Sequence, residues 1–279
     1  MNFFDARDGT RLAYHVDGQG TPLVCLPGGP MRASAYLGDL GGLNRYRRLV
    51  RLDLRGTGAS AVPADRSTYR CDRQVEDVEA LRAHLGRDRI DLFANSAGTA
   101  LAVLYAIRYP ERVGQIVLAG PSPRAVGLRV SGEDRRGVAA HRRDEPWFGD
   151  AYAALERIEA GTITEAELAA IAPFHYGRWD AAVQAFDARR AQELNAEAAD
   201  RYYADGVIDA AAIREGLAHV DAPVLVIAGE YDLGLPPRCA EELASLFPHG
   251  RLVVQPRGGH FGWLDDPGWF VRTVTEFLL

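Results

Sequence analysis

Three side chains in this 279-residue chain have the types and the chain order for acyl transfer through an activated hydroxyl: Ser96, Asp232 and His260. A serine hydroxyl is a weak nucleophile until a base takes its proton. An imidazole can be that base, and a carboxylate can fix its tautomer and stabilise the imidazolium. Ser96 stands in Asn95-Ser96-Ala97-Gly98, directly after the apolar run Ile90–Ala94, with the small residues Ala94 and Gly98 two places to either side. A tight strand-to-helix turn requires small residues there because the two backbones nearly touch. Such a turn lifts the hydroxyl above the sheet and places it at a helix N-terminus, which favours developing negative charge. Taken alone, the same pattern also suits an N-cap serine.

The other two members sit in matching positions. Val224–Ala228 ends in Gly229-Glu230-Tyr231-Asp232, which puts a carboxylate on the rim where open α/β sheets place ligands. Leu252–Val254 leads through Pro256-Arg257-Gly258-Gly259 to His260. Glu230 is the local rival to Asp232, and Asp221 precedes its strand and falls at the opposite edge. His15, His84, His141, His175, His219 and His249 lack such a setting and are expected mostly at the surface or at helix caps. Acyl transfer also needs donors aimed at an oxyanion. After Leu23–Leu26 comes Pro27-Gly28-Gly29-Pro30, in which only the two glycines carry an N–H. Gly29 is assigned as one donor and Ala97, immediately after the serine, as the other.

These loops need a scaffold. The apolar runs Pro22–Leu26, Leu49–Leu54, Ile90–Ala94 and Ile116–Ala119 read as buried parallel strands. Between them Val75–Leu85 has apolar residues at helical spacing, and Leu101–Ile107 is apolar almost throughout, as for a helix buried on a sheet. Residues 121–215 are helical in pattern, with a capping box from Thr164 to Glu167. Pro223–Ala228 and Leu252–Val254 then restore strands, alternating with helices at Ala240–Phe247 and Phe270–Leu279. The pattern predicts a mostly parallel, doubly wound α/β sheet of residues 1–120 and 216–279, interrupted by a helical cap at 121–215.

Composition removes other chemistries. All 32 Lys+Arg residues are Arg, so Schiff-base lysines, a P-loop lysine and a Ser–Lys dyad are excluded. A net charge of −6 argues against a general nucleic-acid binder. Cys25, Cys71 and Cys239 are widely spaced and form no C-x-x-C, so neither a disulfide framework nor a cysteine zinc site is expected. No run approaches a membrane span and the first residues do not read as a signal peptide, so a cytoplasmic location is expected. No metal and no cofactor is expected, and the partner is a small-molecule or short-peptide substrate.

With these residues in place, the chain resembles the α/β-hydrolase family and, within it, the prolyl aminopeptidase (proline iminopeptidase) group. Leu26–Met31 (LPGGPM) is similar to that group's HGGPG loop, with Pro27 where His is usual and Met31 where Gly is usual. Asp53–Ser60 (DLRGTGAS) is similar to its DxRGxGxS segment, where Arg55 is read as a brace for loops. Gly259–Pro267 (GHFGWLDDP) resembles the pattern around its catalytic histidine. The resemblance implies an α/β-hydrolase fold and cleavage of an N-terminal, proline-like residue from a peptide or small amide. It further implies cap acids that hold the substrate's ammonium, for which Glu193, Glu197 and Asp200 near Tyr202 and Tyr203 are the candidates. The same triad would serve an esterase, thioesterase or lactonase. A non-catalytic small-molecule binding protein of this fold is the third reading.

Overall fold

The computed structural model describes Met1–Leu279 and contains one eight-stranded sheet. The strands are β1 (Asn2–Asp5), β2 (Arg11–Asp17), β3 (Pro22–Leu26), β4 (Arg48–Leu52), β5 (Ile90–Ser96), β6 (Val113–Pro121), β7 (Val224–Gly229) and β8 (Gly250–Gln255). Their spatial order is β1-β2-β4-β3-β5-β6-β7-β8. β1 and β2 pair antiparallel and β2 pairs antiparallel to β4; every other pairing is parallel. β3, β5 and β7 are buried along nearly their whole length, which is why they read as continuous apolar runs.

The sequence pattern misses β1 and β2. They sit at the sheet's antiparallel edge, where Arg11, His15 and Asp17 interrupt the apolar residues. A search for unbroken apolar runs cannot find such strands.

Two apolar layers cover the sheet. On one face Leu26, Ala94 and Leu118 pack with helices α1 (Cys71–His84) and α2 (Gly98–Arg108). On the other, Cys25, Phe93, Val117 and Ile227 pack with Trp263 and with Phe270 and Val274 of the helix Pro267–Leu278. Cys25 is therefore core packing, as its place inside a buried strand implies. Between β6 and β7 the chain is wholly helical or irregular, with no strand. Its last helix, Ala210–Leu217, packs against α2 through Ile213 and Leu217, so the insertion already rejoins the core layer there. No helix is long and apolar enough to cross a membrane.

Chain order explains where a site can form. From β3 the chain moves outward to β4, then crosses back over β3 to β5. The loops leaving β3 and β5 therefore diverge at adjacent C-terminal strand ends and open a crevice between them. The segment after β4 is fixed by buried charge. Asp53 accepts hydrogen bonds from the N–H (2.9 Å) and hydroxyl (2.7 Å) of Ser34, from the N–H of Ala59 (3.0 Å), and lies 2.9 Å from His15 Nε2. Arg55 donates to Asp77 on α1 (Nε to Oδ2, 2.8 Å), to Asp8 (2.7 Å) and to Thr68 (2.8 Å). Arg55 and Asp77 are both almost fully buried. Arg55 keeps Asp8 if Asp77 is removed, but removing Arg55 would leave the Asp77 carboxylate buried without compensation. Arg55→Ala is expected to lower unfolding free energy by about 3–5 kcal/mol. Urea denaturation followed by circular dichroism checks this, and a loss under about 1 kcal/mol would contradict the role given to the pair.

Candidate active site

Ser96 is the last residue of β5, and α2 begins two residues later. Its φ is +52°, in the left-handed region, as a sharp strand-to-helix turn demands. Two glycines make that turn possible. A Cβ on Gly98 would lie 2.5 Å from the Leu26 carbonyl oxygen, and one on Gly28 would lie 2.7 Å from Ser96 Cβ and from the Asn95 carbonyl oxygen. The ends of β3 and β5 are thus in backbone contact.

Asp232 is fully buried just beyond β7 and accepts the Gly234 N–H at 2.8 Å. Its other oxygen lies 2.9 Å from His260 Nδ1. A carboxylate here can only accept, so Nδ1 carries the proton and Nε2 is left as the basic nitrogen. Glu230, the rival acid, accepts the N–H of Arg257 at 2.7 Å and braces that turn instead. Burial pushes the imidazole down, but the Asp232 charge and hydrogen bond outweigh it and hold His260 above its ordinary value. Burial likewise raises Asp232, and the His260 charge and bond with the Gly234 N–H bring it below the usual carboxylate range.

Ser96, His260 and Gly29 line one pocket of about 240 Å³. No direct hydrogen bond joins Ser96 to His260; such bonds are often long in unliganded sites and tighten around substrate. The N–H groups of Gly29 and Ala97 have no partner within the protein, whereas the Gly28 N–H donates to the Tyr36 hydroxyl at 2.7 Å. The choice of Gly29 over Gly28 thus coincides with the amide that is free. Tyr36 in turn donates to Asn95 Oδ1 (2.8 Å), and Asn95 Nδ2 donates to the Ala119 carbonyl (2.8 Å). This buried chain of bonds fixes the loop after β3 relative to the serine turn. From the cap, Tyr202 donates to the Ala97 carbonyl at 3.1 Å. Asp265 accepts the N–H groups of Gly177 in the cap (2.9 Å) and of Gly259 beside His260 (2.7 Å), and burial pushes its carboxyl up to about 6.

The cap residues depart from expectation. Glu193, Glu197 and Asp200 do not line the pocket. Glu193 accepts Arg32 Nε at 2.7 Å, Glu197 is half-exposed and paired with Arg66 and Arg201, and Asp200 is exposed. An Ala/Glu/Arg-rich stretch does not reveal which acids face inward. The cap instead supplies His175, Tyr176, Asp187 and Arg190. His175, expected at a surface or cap, lines the pocket, and its carbonyl accepts the His260 N–H at 2.8 Å. Burial, then the His260 charge, push it down to about 4, so it stands neutral beside the triad. Asn95 is buried within β5, where a polar side chain must find partners, but the apolar run that marks this strand in the sequence ends at Ala94. No three His, Cys, Asp or Glu side chains converge so as to hold a metal ion.

Two outcomes follow from this geometry. If His260 is the base, kcat/KM falls on acidification with an apparent pKa above the ordinary ~6.5. Asp232→Asn would then lower kcat by roughly 10³–10⁴-fold and move that limb down; an unmoved limb would contradict the pairing. Tyr36→Phe removes the only partner of the Gly28 N–H. It is expected to lower kcat on the order of 10-fold with KM changed far less, read from steady-state kinetics; a change confined to KM would contradict positioning of the donor loop.

A family model described as the alpha/beta hydrolase fold matches residues 21–267. The chain is 24% identical over 276 residues to a proline iminopeptidase of Heyndrickxia coagulans, covering 95% of this chain and 93% of that one. It is 29% identical over 281 residues to a 2-hydroxymuconate semialdehyde hydrolase of Pseudomonas putida, covering 97% and 91%. The crystal structure of proline iminopeptidase from Mycobacterium smegmatis superposes with a TM-score of 0.76 at 25% identity, covering 99% of this chain and 97% of that one. These relatives carry different functional names, so the comparisons fix no single substrate class. By the extent of the family match, together with the sheet order and the serine turn, this chain belongs to the α/β hydrolase fold family.

Proposed function

We propose that the protein is a serine hydrolase that opens an ester-type bond (ester, thioester or lactone) of a small molecule through an acyl-enzyme. The observation that carries this reading is one pocket lined by Ser96 on its strained turn, by His260 with Asp232 buried behind it, and by Gly29 with its unpartnered N–H. Ser96 Oγ attacks the carbonyl carbon while His260 Nε2 takes its proton, and the Asp232 carboxylate stabilises the imidazolium. The Gly29 and Ala97 N–H groups receive the oxyanion. His260 then gives the proton to the leaving oxygen or sulfur. In the second half, water attacks the acyl carbonyl with His260 again as base, and Ser96 leaves with its hydrogen restored.

Ester-type substrates are preferred over aminoacyl amides because an aminopeptidase must hold a free ammonium. The three cap acids assigned to that task are paired with arginines or exposed outside the pocket. An aminopeptidase is the second reading, favoured by Asp187, a carboxylate that does line the pocket, and by the likeness to proline iminopeptidases. A panel of short-chain 4-nitrophenyl esters and of prolyl and alanyl 4-nitroanilides separates the two. Ester turnover is expected, with aminoacyl-anilide turnover at background, and Ser96→Ala is expected to remove on the order of 10⁵-fold or more of kcat. Robust anilide turnover lost with Ser96→Ala would transfer the assignment to the second reading. Ester turnover surviving Ser96→Ala would end both.

A further inference from the structure

Of the charged groups in the active-site pocket, the two arginines are under-used. Arg32 follows the donor loop and is buried, with 2% of its surface exposed. Its guanidinium lies over the rings of Tyr36 (4.4 Å) and Phe186 (4.9 Å), and Nε donates to Glu193 at 2.7 Å. Its Nη2 is buried with no hydrogen-bond partner. A buried charged donor left unsatisfied is costly, and such groups ordinarily have a partner. Arg190 approaches the same pocket from the cap and makes no ion pair or side-chain hydrogen bond. Its charge acts on both His260 and His175, and the charges of Arg32 and Arg190 both act on the Tyr176 hydroxyl. Both arginines thus line the same pocket, Arg32 from the loop after β3 and Arg190 from the cap.

The nearby acids do not answer this demand. Glu193 is satisfied by Arg32 Nε and stands outside the pocket lining. Asp187 lines the pocket, but its bonded oxygen accepts from the Tyr176 hydroxyl at 2.8 Å and not from either arginine. A ligand carboxylate offers two acceptor oxygens, one for each arginine. Arginine's planar fork suits a carboxylate for this purpose.

We propose that Arg32 and Arg190 form a carboxylate subsite, and that the ester-type substrate carries a free carboxylate held there. The substrate class rests on the serine hydrolase reading; the subsite itself does not. Ser96 and both arginines line this one pocket of about 240 Å³, a volume suited to a small acyl compound.

The test compares mono-4-nitrophenyl glutarate with neutral 4-nitrophenyl pentanoate, which has a similar chain length. The wild-type protein is expected to favour the glutarate ester by about 10-fold or more in kcat/KM. In Arg190→Gln and Arg32→Gln that ratio falls toward 1. Arg189→Gln removes the same charge one residue away and outside the pocket, and is expected to keep the ratio. A wild-type ratio near 1, or a ratio that survives Arg190→Gln, overturns the subsite while leaving the hydrolase reading in place. If neither ester is turned over, the ester-type reading fails, and calorimetry with glutarate on Ser96→Ala protein judges the subsite alone. Glutarate binding weakened about 10-fold or more by Arg190→Gln supports it; no measurable binding overturns it.

Discussion

Everything at this site depends on how closely two strand ends approach. Leu26 at the end of β3 is the register partner of Ala94 in β5, and beyond that pair the two chains turn in different directions while still in contact. Gly28 rests on Ser96 and the Ala97 N–H, and Gly98 rests on the carbonyls of Leu26 and Pro27. A side chain at either glycine would drive the loops apart. That contact sets the distance between Ser96 and the Gly29 N–H, which come from the ends of separate strands, whereas the Ala97 N–H directly follows the serine. Electrostatic stabilisation of a transition state depends on that distance being right before substrate arrives.

Charge and hydrogen bonding then hold what the contact creates. The Tyr36–Asn95–Ala119 chain locks the donor loop from beneath, and Asp53 holds Ser34 a few residues further on. Asp265 ties the histidine loop to the cap through two backbone N–H groups. The segment Glu193–Asn195 lies against Met31–Ala33: the Ala33 N–H donates to the Glu193 carbonyl (2.9 Å) and the Asn195 N–H to the Met31 carbonyl (3.1 Å). The cap is thereby docked onto the donor loop itself, so a movement of one is felt by the other. That coupling joins the cap to the loop that carries Gly29.

Much of this was legible in the sequence, for a physical reason. Buried parallel strands leave long apolar runs, and the ends of such strands are where small residues, a serine, an acid and a histidine stand out. β3 spans the residues its pattern predicts; Ser96 at the end of β5 lines one pocket with His260, and Asp232 beyond β7 lies 2.9 Å from His260 Nδ1. Side chains that meet only through the tertiary fold were not legible. Tyr36 reaches Asn95 across fifty-nine residues, and His175, Asp187 and Arg190 come from a helical stretch whose polar residues all resemble a solvated surface. For the same reason Glu193, Glu197 and Asp200 could be proposed from resemblance but not placed. The absence of lysine gained meaning from the structure: the two cations in the pocket are arginines, which cannot act as bases near neutral pH and are suited to holding oxygen anions.

The central claim is that Ser96 carries the acyl group between two half-reactions. Rapid acid quench during turnover of a 4-nitrophenyl ester, followed by peptide mass analysis, reads this directly. The account predicts an adduct with the mass of the acyl group on the peptide containing Ser96, formed together with a burst of nitrophenol. Turnover with no adduct under conditions that trap one in a known serine hydrolase, or an adduct on another residue, would contradict it.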